Sequence, residues 1–256
     1  MAKRTTKVRR RPDAVREARR QLAAAFRWAA RLGFHEGTCN HFSLKVPGAE
    51  DRYLINPHGR HFSEMRASDL LLVDGQGRVL EGKLPIESTA FFIHSRIHRA
   101  NRNATCVLHT HMPYATALTM IEGGRLEPCL QTCLRFYGRI GYDDDYGGYN
   151  GLVLDEEEGD RICRALGDKR VLMLANHGVI VVAPTVAEAF DDLYYLERAA
   201  QAQVIAMSTG KKLRLVGDNV AARTRDQMLK DGELYARVHF EALCRILDRE
   251  APDYVR

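Results

Sequence analysis

Apolar residues recur at helical spacing near the start of the chain. Val15, Ala18, Leu22, Ala25, Phe26, Ala29 and Leu32 share one face, and Gly33 ends the run. The pattern then shortens: residues 41–46, 53–56 and 70–73 read as β-strands separated by the turn pairs Pro47-Gly48, His58-Gly59 and Asp74-Gly75. Residues 88–100 predict a helix, followed by an apolar strand over 106–109. Further on, 171–175 and 179–183 are two apolar runs around Asn176-His177-Gly178, which predicts a hairpin with a histidine at its turn. Thr185 and Glu188 have the spacing of a capping box, opening a helix toward Ser208 with Gly210 as its stop. One last helix is expected over residues 223–249. Together these elements predict a mainly antiparallel sheet flanked by helices.

Composition changes this picture little. With 45% apolar and 28% charged residues, the 256-residue chain has a folded domain's make-up. No run approaches the roughly 18 apolar residues of a membrane span, so no membrane partner is expected. The start lacks the roughly 7–15-residue apolar stretch of a secretory signal, and the six cysteines form no C-x-x-C pair. Both point to reduced thiols and a cytoplasmic location.

The net charge of +5 is more informative once located. Lys3, Arg4, Lys7, Arg9, Arg10 and Arg11 stand in the first dozen residues without an acid, leaving 32 basic against 33 acidic residues beyond them. The chain therefore reads as a basic disordered tail, 1–12, before a single domain, 13–256. Such a tail can bind phosphates by counterion release. It lacks interleaved aromatics or a recognition motif, so a solubilising arm is the preferred reading and nucleic acid the lesser one.

His109-Thr110-His111 is the leading chemical clue. On an extended segment residues i and i+2 face the same side, so both imidazoles can point at one ion. Two ordinary histidines at a strand end fit the same pattern. His177, exposed at its turn, could complete a triad, with Asn176 orienting its ring. His94 and His98, four apart on one helix face, offer a second pair. They lack the glutamate of the H-E-x-x-H pattern and read better as packed, hydrogen-bonded residues.

At this point the landmarks 40–43 (NHFS), 54–59 (LINPHG), 71–74 (LLVD), 81–85 (EGKLP), 107–111 (VLHTH) and 175–178 (ANHG) matter together. In their order and spacing the chain resembles the class II aldolase/adducin superfamily over residues 13–210. The resemblance implies an α/β fold of three layers, α/β/α, around a central mainly antiparallel sheet. It implies a divalent metal ion held by His109, His111 and His177, zinc by family habit, although histidine also suits manganese, iron or cobalt. It implies a homotetramer with active sites at subunit borders and a small-molecule substrate.

The activity implied is a metal-dependent carbon–carbon lyase, with aldol-type cleavage of a small hydroxycarbonyl compound through a metal-stabilised enediolate as the leading reading. Decarboxylation of a hydroxylated acid, aromatic acids included, is the alternative, and a non-catalytic adducin-like module the third. The chain departs from the aldolase pattern near the catalytic glutamate. Counting back from His109 reaches Ala90, whereas counting forward from Glu81 reaches Ser88, so Glu87 is the nearest carboxylate. As acid/base it would need a raised pKa; otherwise it is a helix-start residue facing the macrodipole. His41, His58, Gly59, Arg60, Ser88 and Thr89 are the expected substrate contacts. Tyr146, in an acidic loop, is the weaker candidate for a proton donor.

Overall fold

The structure, a computed structural model, describes residues 11–144 and 156–256. Most of the basic tail and the loop carrying Tyr146 lie outside the described residues. The first helix, α1 (Arg11–Arg31), begins inside the stretch expected to be tail. The turn after it closes at Gly33, whose φ of +68° is the left-handed conformation that glycine adopts at little cost.

Among the described residues eight strands follow, interleaved with six more helices. They are β1 (His41–Lys45), β2 (Arg52–Ile55), β3 (Leu71–Asp74), β4 (Val79–Glu81), α2 (Ser88–Ala100), β5 (Cys106–Thr110) and α3 (Pro113–Thr119). The second half holds β6 (Ile140–Asp143), α4 (Glu156–Leu166), β7 (Val171–Leu174), β8 (Gly178–Ala183), α5 (Val186–Met207), α6 (Asp218–Leu229) and α7 (Gly232–Glu250). The strands form one sheet in the order β4-β3-β2-β1-β5-β8-β7-β6. Every pairing is antiparallel except β6–β7, where α4 supplies the crossover that a parallel pair requires. This is the α/β architecture expected.

Side-chain alternation divides the sheet's two faces. Phe42, Leu44, Leu108 and Val181 pack with Leu22, Phe26, Phe190, Leu193 and Phe240 from α1, α5 and α7. Val107, Ile180 and Val182 face Ile93, Ile97 and Ile162 from α2 and α4. The helices thus cover both faces, and the chemistry lies on the α2/α4 side. Of the six buried positions of α2, Ala90, Ile93, His94, Ile97 and His98 trace one helical stripe and Ser95 lies beside it. Two of these five are polar and must find partners inside.

Two expectations needed correction. The single helix over 223–249 is two, because Asp231 leaves the helical region (φ −116°, ψ 19°) ahead of Gly232, and α7 starts there. The Thr185–Glu188 cap is only half of a box. Thr185 Oγ1 accepts the Glu188 amide at 3.1 Å, while the Glu188 carboxylate takes the Thr185 hydroxyl rather than an orphan amide. α3 has no capping side chain of its own. The buried Glu197 on α5 accepts the Tyr114 and Ala115 amides at 2.9 and 2.8 Å, fixing the start of α3 just beyond His111. Among the described residues no helix is long and apolar enough to cross a membrane.

A candidate metal centre

β5 and the β7–β8 turn bring three histidines together. His109 and His111 leave the end of β5, and Leu174 O accepts the His177 amide at 3.1 Å to close the turn. Asn176 contributes through its backbone, holding φ at +55°, and makes no hydrogen bond to the His177 ring. One ligand nitrogen from each of His109, His111 and His177 lies within 4.8 Å of the others, the sole such cluster among the described residues. Their rings contact pairwise at centroid distances of 4.8 to 5.0 Å.

The hydrogen bonds set which nitrogens are free. His109 Nδ1 donates to Val179 O at 3.0 Å, and His111 Nδ1 donates to the Glu36 carboxylate at 2.6 Å. Both Nε2 atoms therefore carry lone pairs, and they face each other at 3.1 Å. Two lone pairs so close repel unless a cation lies between them, so the donor set fits a divalent ion of the kind imidazole binds. Burial pushes His109 well below its ordinary pKa, with His41 and the other cluster rings adding to the shift. His177 is lowered to about 4, first by burial and then by His111. Neutral imidazoles are the ligating form.

Glu36 was not foreseen from the sequence. It orients His111 as a carboxylate does in a carboxylate–histidine–metal triad. The Glu36 amide in turn donates to Asn40 Oδ1 at 2.7 Å, tying its loop to the start of β1. Replacing Glu36 with Gln is expected to weaken zinc affinity by about 10–100-fold at unchanged stoichiometry, as outer-shell losses do. Titrating metal-free protein with zinc by calorimetry measures this directly.

Of the other expected site residues, His41 and Glu87 stand closest to this chemistry. His41 lies opposite His109 in the β1–β5 register, and their rings contact at 4.7 Å. Its pKa is lowered to about 3, by burial first; Glu87 opposes that shift, while His177 and His111 add to it. Glu87 is the N-cap of α2. Its Oε2 accepts the Ala90 amide at 2.7 Å and the Thr89 hydroxyl. Burial pushes the carboxyl up, but those hydrogen bonds more than offset it and leave it below the usual range, opposite to the raised value expected of an acid.

The remaining four are placed differently. His58 and Gly59 sit exposed in the turn after β2, with the His58 amide on Pro85 O. Arg60 pairs with Asp69 at 3.4 Å. Ser88 is exposed and lines a cleft with Gln76, Phe91, Arg96 and Arg99 that includes none of the cluster histidines. None of the four makes a hydrogen bond or ion pair with the cluster.

The stripe histidines of α2 are packed and bonded, as the sequence suggested. His94 and His98 are 2% and 1% exposed and meet His41 and Ser43 across the α2–β1 boundary. Burial drives His94 well below its ordinary pKa and takes His98 to about 3. Unfolded, each would protonate near 6.5; folded, each resists protonation to a lower pH. The unfolded chain thus binds more protons below about pH 6.5, and stability falls as pH drops from there toward about 4. In metal-free protein the loss is expected to be steeper than the roughly 1.4 kcal/mol per pH unit of one histidine. Urea melts across that range provide the measurement, and a flat profile would contradict it.

An eight-stranded, mainly antiparallel α/β sheet with three histidines clustered at its strand ends is the fold of the class II aldolase type. The chain belongs to the family described as "Class II Aldolase and Adducin N-terminal domain", whose model matches residues 20–204. The crystal structure of an aldolase II superfamily protein from Pseudomonas syringae is similar at 35% identity and TM-score 0.88, covering 99% of this chain and 98% of that one. An L-fuculose 1-phosphate aldolase from Glaciozyma antarctica matches at 26% identity and TM-score 0.84, covering 98% and 96%. Decarboxylase NovR of Streptomyces niveus is 32% identical over 87% of this chain and 83% of its own length.

Proposed function

We propose that the protein is a divalent-metal-dependent lyase that cleaves the carbon–carbon bond of a small hydroxycarbonyl compound. The observation that carries this reading is the convergence of His109, His111 and His177 with two opposed Nε2 lone pairs. A divalent ion, zinc by preference, would be held by His109, His111 and His177 and would supply Lewis acidity for the bond cleavage. Glu36 holds the His111 ring in the ligating tautomer, and Val179 O does the same for His109. Glu87 stays ionised at the head of α2, held below its ordinary pKa by its hydrogen bonds, so it serves as proton acceptor rather than acid. His41, Thr89 and the 58–60 turn are the substrate side of the same proposal. A homotetramer with Tyr146 as proton donor extends it, as does a cytoplasmic location for the domain 13–256.

Decarboxylation of a hydroxylated acid is the second reading, favoured by the similarity to decarboxylase NovR. Both readings predict turnover that EDTA abolishes and zinc restores. Screening zinc-loaded protein against small hydroxycarbonyl compounds and hydroxylated acids separates them by product, two carbonyl fragments in one case and carbon dioxide in the other. A stoichiometrically loaded protein that turns over neither class would leave the adducin-like module.

A further inference from the structure

Four buried polar groups run in a line behind the metal centre. His98 Nδ1 lies 2.6 Å from Ala104 O, a carbonyl that can only accept, so that nitrogen carries the proton. Neutral His98 therefore has a bare Nε2, which accepts the Ser43 hydroxyl at 2.7 Å. With its single proton spent, Ser43 Oγ accepts from His94 Nδ1 at 2.5 Å. His94 Nε2 is then bare and accepts from His41 Nδ1 at 2.8 Å. One backbone carbonyl thus dictates the tautomer of three histidines, provided all stay neutral, and burial lowers all three.

The last link faces the site. His41 is directly across from His109 in the sheet, its ring on that of the metal-ligand residue. The two nitrogens of an imidazole diverge, so Nε2 points away from His94, and it has no hydrogen-bond partner among the described residues. We propose that His98, Ser43 and His94 are positioning residues that hold His41 in its Nδ1–H form, making Nε2 a fixed acceptor for a hydroxyl group on the substrate. This rests on the lyase reading for the substrate's place at the centre. It narrows the substrate class, because a bare nitrogen welcomes an O–H donor and repels the oxygen of a phosphate or carboxylate anion.

Two measurements on the full chain test this. In metal-free protein with isotope-labelled histidine, long-range nitrogen–proton NMR at about pH 7.5, above the ordinary histidine range, should show His41, His94 and His98 all protonated at Nδ1. Ser43→Ala should release His94 and shift His41 toward Nε2–H, and Ser43→Thr, which keeps the hydroxyl, should restore the wild-type forms. A wild-type His41 protonated at Nε2, or a Ser43→Ala spectrum with unchanged tautomers, overturns the proposal. In zinc-loaded protein, hydroxyacetone should bind about two- to tenfold tighter than methoxyacetone, the effect of one hydrogen bond, and Ser43→Ala should erase the preference. Equal wild-type affinities, or a preference that survives in Ser43→Ala, also overturn it. Failure of zinc to bind would count against the lyase reading alone, since the tautomer experiment needs no metal.

Discussion

Replacing His109 with alanine is expected to empty the centre of metal. His109 is 1% exposed, and its Nε2 is one of the two lone pairs that oppose each other at 3.1 Å. Without it, His111 and His177 remain as two ligands on different elements, fewer than the three a catalytic zinc site uses. The fall in zinc affinity should exceed the roughly 10–100-fold that loss of an outer-shell partner causes. Zinc per chain after dialysis should drop from about one to near zero, since a structural or catalytic site needs its full ligand set. Any EDTA-sensitive turnover should vanish with it. Circular dichroism separates this from misfolding, and a variant that keeps its zinc would remove the basis of the proposed function.

Gly178→Ala is expected to have the second-largest effect, although glycine here has an ordinary φ. A Cβ at this position would lie 2.6 Å from Thr110 O and 2.8 Å from His111 Cδ2. The first neighbour is backbone of β5 and cannot swing away; the second belongs to a cluster histidine. The strain must be relieved by separating β8 from β5 or by rotating the His111 ring off its partner Glu36. Overpacking of this kind costs about 1–3 kcal/mol, which for a chain of this size lowers Tm by roughly 3–10 °C. Unlike an overpacking in the core, it should also weaken zinc binding. Thermal melts with and without zinc give the test: a variant that melts and binds zinc like the parent would show that the close approach is not required.

The strands and helices that were legible in the sequence share one property, a pattern complete within a few residues. α2 was read with its ends correct, and the 171–183 hairpin with its histidine at the turn. The elements that escaped are those whose reasons lie elsewhere in the fold. β4 is an exposed edge strand without alternation, and α3 is capped by a glutamate more than eighty residues away. The break before α7 was hidden by helical periodicity on both sides of Asp231-Gly232.

The candidate site divides in the same way. By itself the sequence placed His109 and His111 on one strand and His177 at a turn, and the family resemblance joined them as a proposed ligand set; the fold brings the three together. It also marked His41 and Glu87 as neighbours of the chemistry. Only the tertiary structure decided what those side chains can do. Glu87 is tied down as a helix cap, and His111 is steered by Glu36 from a loop 75 residues earlier. His41, His94 and His98 draw their tautomers from one carbonyl through Ser43. The physical reason is that ligand identity belongs to a side chain. Proton position and orientation belong to hydrogen bonds, and the partners of those bonds come from β1, α2, β8 and the loops carrying Glu36 and Ala104, which meet only when the sheet is built.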